Sequence, residues 1–563
     1  MTNTYDGNGN QLTQQSATGT ITNTFDLRNR LISTVNTAGG GTIEYAYDLA
    51  GNTHAVTDQH GTVTHDYDAA NVLTATTYPT GDGGAAKQLY TNDDHGRRTD
   101  VWLNATANAD PTKDPTSWQA HQHITYGASN KITRVQAWQG SDKATAVVDD
   151  SYCYITGIAV GGDCSAVKSA NDTDKIQWAK DNTTGQTTSY TYDSNSRLTK
   201  AAQAGGATNT TLAYTYDAAG NRLTAKQTGD TTSSQTLTYN AVGQITSTGY
   251  AYDGVGNLTA APEETFTYND AQQLTASTKN GVTTRYEYAG ADMTKLLKQS
   301  TDGGAEYDYT YGKGITSRTV AGTGTASVIS DPTTGQPMDL QTTDGVTSMW
   351  VIDGIGNPAA AIADTGNTAY TVSYGPYGAE TVNGGSSAQW QQNPYGFKAG
   401  LRSSSTDNGL TKFGYRWQTT ATGGWIQRDT LDAPLSPTNA NRYAYAGDDP
   451  INSSDPTGRS TFGNALGIAS TALAIGGLAA TATGVGGPAG LILGGLSSVA
   501  NTWSIAENGG SASEVAGAAV LGTASLGFGV VASPAVLNVG RTASTVASGI
   551  YGGIEMAQSA AVS

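Results

Sequence analysis

Along most of this chain apolar side chains recur two residues apart and then stop at a short cluster of Asp, Gly and Asn. The clearest instance is YTYDAAGNRLT, Tyr214 to Thr224. A period of two places Tyr214 and Tyr216 on the same face of a strand. Asp217 is then positioned to cap a turn with its carboxylate, Gly220 and Asn221 tolerate the positive φ of a tight reversal, and Leu223 resumes the next strand. Related segments begin at Tyr5 (YDGNGNQLT), Phe25 (FDLRNRLIS), Tyr45 (YAYDLAGNT), Tyr67 (YDAANVLT), Tyr190 (YTYDSNSRLT), Tyr250 (YAYDGVGNLT) and Phe266 (FTYNDAQQLT), with weaker copies near Tyr239, Tyr288, Tyr309 and Asp353. One hairpin alone is marginal, so the pattern predicts hairpin after hairpin joined in one continuous antiparallel sheet. Residues 80–185 break the rhythm and read as degenerate repeats with longer loops. From about residue 345 the period changes again.

A different pattern takes over after Arg459, where no charged residue occurs before Glu507. Three stretches, NALGIASTALAIGGLAATATG, GPAGLILGGLSSVANTWSIA and VAGAAVLGTASLGFGVVASPAVL, have the length of a membrane-spanning helix, diluted by Ala, Gly, Ser and Thr. Gly486, Gly490 and Gly494 form a small-residue row suited to close helix packing. The expectation is an all-β body, residues 1–458, followed by an apolar helical tail, residues 459–563.

Composition changes this picture in four ways. The chain has 71 Gly and 15 Pro, and its 30 Tyr against 6 Phe favour half-exposed strand faces where a ring packs and its hydroxyl stays hydrogen-bonded. The net charge of −17 argues against a nucleic-acid partner, because phosphate binding needs clustered Lys and Arg. Two cysteines, Cys153 and Cys164, bracket a short loop that is closed by a disulfide in an oxidising compartment or left reduced in the cytosol. The six histidines (His54, His60, His65, His95, His121, His123) show no HExxH or other ligand spacing and read as surface or strand residues, so no metal and no cofactor is expected. The N-terminus opens in mid-repeat without a signal peptide, which points to the C-terminal portion of a longer polypeptide or a truncated reading frame.

The repeated YD…GN.L units resemble the RHS/YD family of bacterial polymorphic toxins, insecticidal toxin C-components and teneurins. The resemblance covers about residues 1–458 and implies a β-sheet that coils into a hollow, cocoon-like shell, in a secreted or cell-surface protein. The stretches MWVIDGIGNPAAAI, SYGPYGAE, NPYGFKAGLRSSSTDNGLTKFGYRWQTTATGGWIQRD and NRYAYAGDDPINSSDPTG resemble the RHS-repeat-associated core, residues 345–458. In that family the core plugs the shell and cuts the chain just past its DPxG. Carried over by motif, Arg416 of FGYRW, Asp429 of QRDT and Asp455 of DPTG are the catalytic candidates, and the cut falls between Gly458 and Arg459. Thr430 after the first aspartate, and Arg459 after DPTG, depart from the usual family residues, as do Gln418, Thr419 and Thr420 after the arginine; Asp432, Asp448 and Asp449 lie nearby as substitutes.

Two carboxylates suit this reaction because amide hydrolysis needs a base for water and an acid for the leaving nitrogen, and a pair sharing a proton supplies both. An arginine beside them either holds a carboxylate or stabilises developing negative charge. The implied partner is the chain's own tail as cargo, with a membrane as its possible target and a delivery or shell-closing protein. The opposing expectation is an adhesive or structural repeat module that never cuts itself, or a carrier with an inert tail.

Overall fold

The computed structural model describes residues 2–105, 118–140, 146–164, 171–405, 408–430, 439–459 and 462–463. Nineteen strands, from β1 (Thr2–Tyr5) to β19 (Ser233–Thr236), form one sheet, and fourteen, from β20 (Ala251–Tyr252) to β33 (Glu380–Asn383), form a second. Within each sheet every strand pairs antiparallel with the next in sequence, an unbroken meander.

The repeat turn explains this regularity. Strand β17 (Thr210–Tyr216) enters it and β18 (Arg222–Gly229) leaves it. Asp217 Oδ1 accepts the backbone N–H of Ala219 at 2.9 Å and of Asn221 at 2.8 Å, while Oδ2 accepts the Asn221 side-chain amide at 2.8 Å. Such local side-chain bonds satisfy the groups that a reversal leaves unpaired. Gly220 has φ 78°, as expected, but Asn221 does not have positive φ. Its amide is instead committed to Asp217, which fixes an ordinary backbone there. The left-handed position is the third after the aspartate, or after Asn269 in its place, and Asn29, Asn71, Ser196 and Gln272 occupy it where glycine is missing, with φ between 60° and 66°.

Many units are also fastened to their predecessor. The tyrosine before the aspartate donates its hydroxyl to a carbonyl of the preceding unit: Tyr47 to Leu31 O at 2.6 Å, Tyr67 to Thr53 O at 2.9 Å, Tyr192 to Ile176 O at 2.8 Å and Tyr216 to Leu198 O at 2.7 Å; Tyr311, before a glycine, does the same to Leu296 O at 3.0 Å. A one-residue shift in strand register precedes these tyrosines, as between Thr215 and Tyr216, and turns the ring toward its target. Arginines four residues after the aspartate stack on the next unit's tyrosine, Arg30 over Tyr47 at 4.2 Å and Arg197 over Tyr216 at 4.7 Å.

The aromatic faces are more buried than the composition suggested. Tyr78, Tyr309 and Tyr370 are each only 1% exposed: Trp390 covers Tyr370, Leu401 and Trp417 share the cluster of Tyr309, and over Tyr78 the two sheets pack on each other and cover faces that a single sheet would leave wet. Their shared core joins Tyr90, Val135 and Leu198 of the first sheet to Ile329, Met349 and Val351 of the second. Polar ties cross the same boundary: Arg98 to Asp331 at 2.8 Å, Gln88 to Asp339 at 2.9 Å and the Gly354 N–H to Tyr152 at 2.9 Å. The result is a nearly all-β, shell-like fold. In residues 80–185 the described strands continue the meander, and Cys153 and Cys164 are joined as a disulfide with Cα atoms 5.4 Å apart.

After β33 the chain leaves the sheet through α1 (Ala388–Gln392) and builds a small sheet from β34 (Leu401–Arg402), β35 (Leu410–Phe413) and β36 (Arg416–Thr419). Trp417 anchors it to the second sheet by donating its indole N–H to Tyr288 at 2.9 Å. Phe397, Phe413, Trp425 and Tyr445 form a separate aromatic core beside it. Of the expected helical tail only Arg459 and Phe462–Gly463 are described, the latter a strand paired antiparallel with Ser453–Ser454; the rest of the tail, and Asp432, lie outside the described residues. Among the described residues no helix is long and apolar enough to cross a membrane.

Candidate active site

Phe413 and Arg416 face each other across the two-residue turn between β35 and β36, at Gly414 and Tyr415. This turn is pressed backbone to backbone against the DPTG segment that follows β37 (Ser453–Ser454). The Tyr415 N–H donates to Thr457 O at 2.9 Å, and a Cβ on Gly414 would collide with that same carbonyl. Gly458 has φ 67°, and a Cβ there would collide with Phe413 O. Two glycines thus allow the close approach.

That approach carries the guanidinium of Arg416 into the DPTG turn. Its Nη2 lies 2.7 Å from Asp429 Oδ2 and 3.1 Å from Asp455 Oδ2, so one nitrogen bridges both carboxylates. Its Nε donates to the carbonyl of Gly458, and its Nη1 to Arg442 O at 3.0 Å. The guanidinium carbon sits 4.1 Å from the centre of the Trp425 ring. Burial pulls the Arg416 pKa down and the two carboxylates oppose that pull. Asp429 is held by reciprocal bonds, its N–H to Arg442 O at 3.1 Å and Arg442 Nε to its own carbonyl at 2.9 Å.

Asp455 reaches the other side of the same peptide. Its Oδ1 accepts the Arg459 N–H at 3.0 Å and the Thr457 hydroxyl at 3.1 Å. The Gly458–Arg459 peptide therefore has its oxygen on Arg416 and its nitrogen on Asp455. All five residues singled out from the sequence, Arg416, Asp429, Asp455, Gly458 and Arg459, meet here. The nearby aspartates have other partners: Asp449 is paired with Lys175 and bonded to Asn452, and Asp448, whose pKa burial pushes up to about 7, lies near Arg222.

The family model described as Teneurin YD-shell matches residues 171–451. The chain is an RHS/YD-repeat shell protein. A TcdB2-TccC3-Cdc42 crystal structure shares the shell fold with a TM-score of 0.58 and 14% identity, over 82% of this chain and 24% of that one. A structure of the Photorhabdus luminescens Tc holotoxin pore with a TccC3 variant aligns at a TM-score of 0.46 and 14% identity, over 80% of this chain and 27% of the other. This YD shell thus spans about a quarter of the chains it matches. No curated protein matches its sequence.

Sequence reasoning missed three participants in this shell's site. Trp425 stacks under Arg416, Thr457 braces Asp455, and Tyr415 carries the Arg459 guanidinium 3.7 Å above its ring. The only sequence trace was their place inside the FGYRW, GGWIQRD and DPTG stretches.

Proposed function

We propose that this chain is the encapsulating shell of a toxin-type protein, acting outside the cell that makes it, and that it cuts itself between Gly458 and Arg459 to free the residues beyond as cargo. The observation that carries the reading is the convergence of Arg416 and Asp455 on one peptide bond, with Asp429 paired to the same guanidinium. Water attacks the Gly458 carbonyl carbon while Asp429 takes its proton. The oxygen becomes an oxyanion against Arg416 Nε, a donor in a site where Arg416 is 4% exposed. The carboxyl pair enters with one shared proton; Asp455 passes it to the Arg459 nitrogen beside it while Asp429 keeps the proton taken from water, the C–N bond breaks, and a Gly458 carboxyl and an Arg459 amine remain. Tethering replaces substrate binding, so a site that turns over once suffices.

The tail, without charge from Ser460 to Ala506, fits a membrane-active cargo, which dye release from liposomes by the cleaved protein would test. Self-cleavage is tested by intact mass and N-terminal sequencing of purified protein. A new N-terminus at Arg459, absent in Asp455→Asn and in Asp429→Asn, is expected. A chain that stays whole in the wild type overturns the reading and leaves an uncut repeat module, and one cut equally in both variants overturns the assignment of the two aspartates.

A further inference from the structure

Strands β10 (Arg98–Ala105) and β11 (Ala120–Tyr126) lie side by side, with Asp100 opposite His123 and Trp102 opposite His121. Residues two apart share a face, so Asp100 and both histidines stand together, on the side opposite Val101 and Leu103 of the inter-sheet core. His121 Nε2 lies 2.9 Å and His123 Nδ1 2.7 Å from the same oxygen, Asp100 Oδ1. One ligand atom from each of the three residues lies within 4.8 Å of the others. From this we infer a divalent metal site, Asp100–His121–His123, that takes a borderline first-row cation of the zinc class.

The donor set decides the class. Two neutral imidazoles and a carboxylate suit zinc or its neighbours, whereas calcium and magnesium prefer oxygen alone. Tetrahedral zinc with bonds of about 2.0–2.1 Å sets ligand atoms roughly 3.3 Å apart, so the two N···O contacts need open by only about half an ångström. Each imidazole then carries its proton on the other ring nitrogen.

The surroundings are built as metal sites are. The His121 ring is sandwiched in a cross-strand row, stacked on Trp102 at 4.9 Å and 3° and on Trp138 at 5.3 Å and 24°, with Trp118 tilted at 5.3 Å. These rings fix its plane and exclude water from that side. Asp100 is oriented from behind, because its Oδ2 accepts the Thr91 hydroxyl at 2.8 Å, a supporting bond of the kind that holds ligating carboxylates. On the open side the His123 side chain is 39% exposed, so an ion can enter and keep water as its fourth ligand. The sequence shows no helical ligand motif, yet His-x-His on a strand brings both rings to one face. Bound there, the ion would rivet β10 to β11.

The test is titration of the chelator-stripped full chain with zinc chloride by calorimetry, and with cobalt(II) by visible absorption. One equivalent should bind, cobalt should give the ligand-field bands of a low-coordinate nitrogen–oxygen site, and zinc should raise the melting temperature. His123→Ala, at the exposed position, should melt as the metal-free wild type does and lose both the bands and the zinc-dependent shift. Thr91→Ala should bind roughly 10-fold more weakly. No saturable binding to the wild type, or unchanged binding in His123→Ala, overturns the site.

Discussion

The turn at Asp217 and the turn at Asp455 are nearly the same object put to different uses. In both, Oδ1 of the aspartate accepts the N–H of the fourth residue on, from Asn221 at 2.8 Å and from Arg459 at 3.0 Å. In both, the glycine at the third position has positive φ, 78° and 67°, and its N–H returns to the aspartate's own carbonyl at 3.3 and 3.2 Å. They part at Oδ2. The wall turn gives it to the side chain of Asn221, closing the unit on itself. The core turn gives it to Arg416 from another hairpin, and the same arginine holds the glycine carbonyl and a second aspartate. The lesson is that a structural turn already presents an amide to a carboxylate; what the proposed site adds is a cation on the carbonyl and a second acid.

Asp455→Asn should test that difference most strongly, lowering self-cleavage by about 1,000-fold or more through loss of the acid, whereas Asp217→Asn leaves cleavage unchanged; intact mass over a time course reads both. Arg416→Lys comes next. A lysine cannot reach two carboxylates and a carbonyl at once, so cleavage should slow by about 100- to 1,000-fold, the cost of one oxyanion donor, followed in the same assay.

A third expectation sets the interior of the wall against the core. Burial pushes Asp339 up to about 8; Gln88 and Arg98 oppose that, and Asp364 adds to it. A carboxyl raised from its unfolded value of about 3.9 contributes most to stability below that value and loses the contribution as pH rises through 8. His65, held down at about 4 by burial, works the other way below about 6.5. Asp339 should therefore cost stability between pH 6.5 and pH 8.5, by an amount on the order of a few kcal/mol, against buried lysines such as Lys412, lowered to about 7, which act the other way, and the difference between wild type and Asp339→Asn in denaturant melts at the two pH values reads the Asp339 part. The smallest effect belongs to the wall fastenings: Tyr47→Phe removes one hydroxyl bond and should cost about 1 kcal/mol, read from the same melts, with cleavage unaffected.

The wall was legible in the sequence because its logic is local. Tyr, Asp, Gly and Leu at fixed offsets specify a hairpin, and hairpins in series specify a meander. The role of Asn221 was not, since its amide bond to Asp217 depends on where a side chain points, not on its tolerance of positive φ. Nor was the burial of Tyr78 and Tyr309, which comes from packing between elements far apart in the chain. In the core, motif resemblance found Arg416, Asp429 and Asp455, but sequence alone could not reveal that one guanidinium nitrogen touches both acids. The Asp100–His121–His123 cluster escaped notice because its aspartate lies on the neighbouring strand, outside any short motif.

The hydroxyl that each tyrosine hands to the unit before it also bears on how such walls change in length. A strand that gained or lost one residue would turn its tyrosine to the opposite face and leave the preceding carbonyl without that bond. Whole hairpins carry donor and acceptor together and leave every other fastening in place. Growth and shrinkage of this shell are therefore expected in steps of complete hairpins, and its interior volume should be inherited in discrete sizes.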